Sequence, residues 1–84
     1  MEKIIKQIET HYPGIKILQE RERGEYQCVD VSAEHGEGVH LFDYYSEDYT
    51  NRDFGVDNKF VEFCNKMDCY CEWVNPGVLT IVKE

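Results

Sequence analysis

The chain has 84 residues, of which 42% are hydrophobic and 13% aromatic, and a formal net charge of −8. That is the length of one domain, 1–84, and its apolar content suffices for one modest core, which excludes a disordered chain. The charge opposes binding to nucleic-acid phosphates or to anionic membranes and favours a basic protein partner.

Residues 2–12 are predicted to form a helix: Ile4, Ile5, Ile8 and Tyr12 make one apolar stripe, with Met1 extending it, and Pro13-Gly14 ends it. Residues 15–21 read as a strand, with Ile15 and Ile17 on one side and Lys16, Leu18 and Glu20 on the other. After a charged turn over Arg21–Gly24, residues 25–33 form a second strand. Its Val29, Val31 and Ala33 are assigned to the core, and Tyr26, Cys28, Asp30 and Ser32 to the other face. Glu34–Gly38 is expected to be a hairpin loop, and Val39–Tyr45 a third strand.

Ser46–Gly55 has no period and many turn formers, so it reads as a loop, and loops of that length in small domains are often functional. A second helix is expected over roughly Asp57–Asp68, with Asp57 as N-cap and Val56, Phe60, Phe63, Cys64 and Met67 as its apolar face. The tail, Cys69–Lys83, reads as a hairpin about Asn75-Pro76-Gly77. An odd-length loop puts Cys69, Cys71 and Trp73 on the face of Leu79 and Ile81, whereas an even one would bury Glu72 without a partner. Trp73 is then a core anchor.

The order α-β-β-β-α-β-β describes a two-layer α+β fold: one mostly antiparallel sheet with two helices on one face. The pattern leaves the strand order open. The start, Met1-Glu2-Lys3-Ile4, mixes acid and base without an apolar h-region, and no apolar run reaches the length of a membrane span. A cytoplasmic protein with reduced Cys28, Cys64, Cys69 and Cys71 is the expectation.

No metal is expected, because the spacing Cys64-x4-Cys69-x-Cys71 is not that of a zinc knuckle and His11, His35 and His40 are scattered. An EF-hand register begun at Asp48 fails, with Arg52 at its fifth position and Lys59 at its twelfth. His35-Gly36-Glu37-Gly38 is too acidic to cradle phosphate. A nucleophilic Cys28 would need an orienting group and an oxyanion hole, for which the sequence offers no residues. The chain therefore reads as a non-enzyme without cofactor.

What stands out is the stretch 25–57. It holds nine acids and one base, Arg52, and so carries the entire net charge, while both flanks are nearly balanced. Tyrosines recur among these acids rather than among apolar residues. The residues Glu34, Glu37, Asp43, Tyr44, Tyr45, Glu47, Asp48, Tyr49 and Asp53 form the candidate partner-binding set, with charge for steering and rings for contact area. The plain alternative is a strand followed by a solvated acidic loop. Amides at Asp43, Glu47 and Asp48 are expected to leave the fold intact if these are surface groups, and unfolding of that variant would remove the basis of the binding surface.

The leading expectation is an acidic protein-binding module that occupies a basic, nucleic-acid-binding site on its partner. Small anti-defence inhibitors of phages and mobile elements work in this way, and the chain resembles them in size and charge alone. An immunity protein that neutralises a basic toxin has the same features. A structural homodimer is the second reading. No direct contact with nucleic acid or membrane is expected.

Overall fold

The computed structural model describes residues 1–84 and shows an antiparallel four-stranded sheet with both longer helices on one face. The chain runs through α1 (Glu2–His11), β1 (Ile15–Arg23), β2 (Tyr26–Gly36), the short α2 (Gly38–Leu41), a small β3–β4 hairpin (Arg52–Asp53, Val56–Asp57), α3 (Asn58–Asn65), β5 (Cys69–Asn75) and β6 (Val78–Lys83). The sheet order is β1-β2-β6-β5, so the two central strands come from opposite halves of the sequence. No helix is long and apolar enough to cross a membrane.

The predicted periodicities meet in one core. Ile4 and Ile8 of α1 and Phe60 and Cys64 of α3 pack on Val29 and Val31 of β2 and Leu79 and Ile81 of β6. Phe60 is fully buried, with its ring 5.0 Å from that of Phe42 and 5.1 Å from that of Tyr12. Asp57 caps α3 as expected, its carboxylate accepting from the Lys59 and Phe60 amides. The β5–β6 register also agrees: Cys71 faces Ile81 and Trp73 faces Leu79, and a bulge between Trp73 and Asn75 absorbs the odd residue of the loop.

Three expectations are corrected. The turn expected over Arg21–Gly24 is confined to Gly24-Glu25, because β1 stays paired with β2 through Arg23. Glu34–Gly38 is not a hairpin loop, because β2 continues to Gly36. Nor is Val39–Tyr45 a third strand. Residues 38–41 form one helical turn, Phe42 makes a single bridge to Val56, and Asp43 onward belongs to a loop. The cause is a close approach: a Cβ at Gly38 would overlap the Ser32 carbonyl oxygen, so glycine lets α2 press directly on β2. This turn drives Phe42 into the core and leaves Val39 exposed.

The sheet face away from the helices has no covering layer, yet Cys28, Asp30, Thr80 and Val82 are buried there. The β1–β2 register explains how. Ile17 faces Val31, but Gln19 faces Asp30, so one extra residue bulges from β1 at Leu18. The bulge moves Gln19, Arg21 and Arg23 to the uncovered face. Gln19 donates to Asp30 at 2.9 Å and Arg21 pairs with it at 2.9 Å. Arg23 reaches Glu72 at 2.6 Å, joining the two outer strands above β2 and β6. Long polar side chains thus roof this face in place of a helix.

Burial raises the Asp30 carboxyl, but the hydrogen bonds from Arg21 and Gln19 outweigh it and hold the group below its ordinary value. A carboxyl depressed in the folded state contributes stability that is complete above its unfolded pKa, near 4, and is lost as pH falls through the folded value. Asp30→Ala is expected to destabilise the fold by about 2 kcal/mol at neutral pH, and its urea midpoint should approach the wild-type one at a pH low enough to protonate the carboxyl in the folded state. Urea titrations at both pH values check this.

Candidate functional site

The segment 42–57 is anchored in the core by Phe42 and Val56, and between them it has few apolar contacts, so hydrogen bonds must define its path. They do so in series. Asp43 donates its amide to Gly55 O at 2.8 Å, and its carboxylate accepts from the Tyr45 amide at 3.1 Å. Ser46 Oγ accepts from the Asp48 amide. Asp48 then accepts from the Thr50 and Asn51 amides, each at 3.0 Å, and from the Asn51 side chain. Asn58, in the first turn of α3, ties down the Thr50 and Asn51 carbonyls. The Asn51 amide and side chain, with the Thr50 amide, hold the Asp48 carboxyl below its ordinary range.

Arg52, the single base of the acidic stretch, pairs with no carboxylate. Its Nη1 donates to Leu41 O at 2.8 Å and Gly55 O at 3.0 Å, and Nη2 donates to His40 O at 2.8 Å. The guanidinium thus satisfies carbonyls at the end of α2 and fastens them to the β3–β4 hairpin.

That hairpin turns through Phe54 and Gly55, both at positive φ (49° and 84°), the backbone that tight two-residue hairpins require. Glycine suits the second position, where a Cβ would overlap the Asp43 carbonyl oxygen. Phenylalanine does not suit the first. A left-handed backbone costs a side chain with Cβ roughly 1–2 kcal/mol, and this ring is 89% exposed, so packing offsets none of it. Its carbonyl is held by Trp73, whose Nε1 donates at 2.6 Å. Tyr44 leans edge-on against Trp73 at 5.3 Å and against Tyr45 at 5.2 Å. Tyr45 and Tyr49 are 76% and 81% exposed.

Seven of the nine candidate residues therefore share one ordered loop: Asp43, Tyr44, Tyr45, Glu47, Asp48, Tyr49 and Asp53, all exposed. The other two are placed against turns elsewhere. Glu34 lies against Gly77 of the β5–β6 turn and Glu37 against Gly14 after α1. Sequence reasoning passed over two residues of the loop, Arg52 as its clamp and Phe54 as its most exposed ring, and one on β5, Trp73, that supports it. The pair Phe54-Gly55 between Asp53 and Val56 was the available signal, since a glycine closing a two-residue link marks a tight hairpin.

Trp73 also packs against the core, as expected of an anchor, but its indole N–H is spent on the loop. No three His, Cys, Asp or Glu side chains are grouped to hold one metal ion. A groove of about 320 Å³ lies apart from the loop, between the start of α1 and the end of β6, lined by Lys3, Lys66, Met67 and Lys83 among others. Comparison with known protein families, curated proteins and solved structures finds no match to this chain.

Proposed function

We propose that this protein is a non-enzymatic binding module whose 42–57 loop docks on a basic surface of a partner protein. One observation carries the reading: Tyr45, Tyr49 and Phe54 project from a loop held by its own hydrogen bonds, and none serves the core. Phe54 weighs most, because folding alone favours asparagine or glycine at that backbone position. Rigid rings flanked by Asp43, Glu47, Asp48 and Asp53 suit a partner groove lined by Arg and Lys, where rings supply contact area and carboxylates supply steering. A nucleic-acid-binding site is the basic groove with the matching charge, and occupying it would make the module an inhibitor.

The test uses tagged protein on native lysate, washed at low and at high salt, beside two variants that spare the fold. Tyr45→Ser/Tyr49→Ser/Phe54→Asn removes the rings and relieves the turn. Asp43→Asn/Glu47→Gln/Asp48→Asn removes charge while each amide oxygen can still accept the turn hydrogen bonds. The wild type is expected to retain a basic protein that salt releases, and each variant to bind it at least about 30-fold more weakly, the loss typical of a 2 kcal/mol hot spot. Equal capture by all three proteins, or none by the wild type, would sink the proposal.

A further inference from the structure

The face of α3 that meets β5 carries two thiols in contact. Cys71 Sγ lies 3.7 Å from Cys64 Sγ, within S–H···S distance. An S–S bond is ~2.05 Å long, so each sulfur needs to move only ~0.8 Å. The other two cysteines are differently placed. Cys28 is on the uncovered sheet face, beside Val82, and Cys69 donates its S–H to Met67 O at 3.5 Å. All four are free thiols, and of them Cys71 alone is not fully buried.

We propose that Cys64 and Cys71 form a reversible intramolecular disulfide, closed by a hydroperoxide, that fastens α3 to the edge strand β5. Exposure sets the order of events. The Cys71 thiolate attacks the peroxide, the O–O bond breaks, and the departing oxygen takes up a proton as water or alcohol, leaving a sulfenic acid on Cys71. Cys64 sulfur then attacks Cys71 sulfur. The S–O bond breaks as the S–S bond forms, and hydroxide leaves with the Cys64 proton as water. Two thiols give up two electrons in all, and the peroxide accepts them. Cys64 suits the second role. It is fully buried, so the peroxide reaches Cys71 first, and its sulfur already touches that of Cys71. The bond would sit two residues before Trp73, on the strand that supports the candidate loop.

Oxidation of the purified, reduced full chain with hydrogen peroxide tests this. The expected product is a monomer that has lost two hydrogens and two of its four titratable thiols. Trypsin cuts after Lys59, Lys66 and Lys83, so the bond should appear as peptide 60–66 linked to peptide 67–83. Cys69→Ala should form the same link and dithiothreitol should break it. Cys71→Ser, altered at a half-exposed position, should abolish it while keeping the fold. A product that gains oxygen on Cys71 while Cys64 stays free would overturn the proposal. So would a bond to Cys28, to Cys69 or to a second chain.

Discussion

Arg52→Met is expected to lower the unfolding free energy by about 3 kcal/mol, a fall in Tm of roughly 12–24 °C for a domain this size. The substitution keeps length and removes the fork that holds the His40, Leu41 and Gly55 carbonyls. Each charge-assisted bond contributes about 1.5–3 kcal/mol. The side chain is only half-buried, so water recovers part of the loss, and the total falls well below the sum. Arg52→Lys should restore less than half of it, because one ammonium cannot reach carbonyls that two nitrogens of a planar fork now share. Urea denaturation measures the loss. Amide exchange locates it, with residues 43–57 losing protection before the sheet does. An unchanged midpoint would mean that the loop is held by something other than this residue.

Phe60→Ala carries the larger expected effect, about 3–5 kcal/mol, against a total of roughly 5–15 kcal/mol for a domain. Phe60 stands where α1, α3 and the start of the loop meet, with the rings of Tyr12, Phe42 and Phe63 within 5.8 Å of its own. Truncation leaves a cavity that none of these can fill without leaving its own contacts. Phe60→Leu should cost less than half as much, because most of the volume returns. Thermal unfolding of the two variants beside wild type decides the matter. Near-equal melting of all three would mean that the core closes over the gap.

How much of this was legible depends on how far apart the deciding residues are. α1, α3 and the β5–β6 hairpin were readable because eight or more consecutive residues repeat one period, or because burial of Glu72 excludes the competing register. Val39–Phe42 was not. Four residues cannot separate a period of 2 from one of 3.6, and what decides is Gly38 meeting a carbonyl six positions back. The bulge at Leu18 was equally hidden. Alternation along β1 looks continuous, and only its pairing with β2 shows that Gln19 and Arg21 have changed sides.

The candidate site divides in the same way. Asp43, Tyr44, Tyr45, Glu47, Asp48, Tyr49 and Asp53 are neighbours in sequence and share the loop. Glu34 and Glu37 share its charge but are held by turns at Gly77 and Gly14, contacts that no local pattern announces. Arg52 and Trp73 were missed for the converse reason: their bonds to residues 40–41 and 54 join segments that have no pattern in common.

The position of β6 beside β2 governs how the chain reaches this state. The β1–β2 and β5–β6 hairpins close over short turns and can form early, on local contacts alone. The seam between them joins residues roughly fifty positions apart, so the entropy of closing that span is lost before Val29 and Ile81 meet. Docking of the two hairpins is therefore the step expected to limit the folding rate. The candidate loop lies between the two hairpins in sequence; its clamp to residues 40–41 is local, whereas its support at Trp73 comes from the second hairpin.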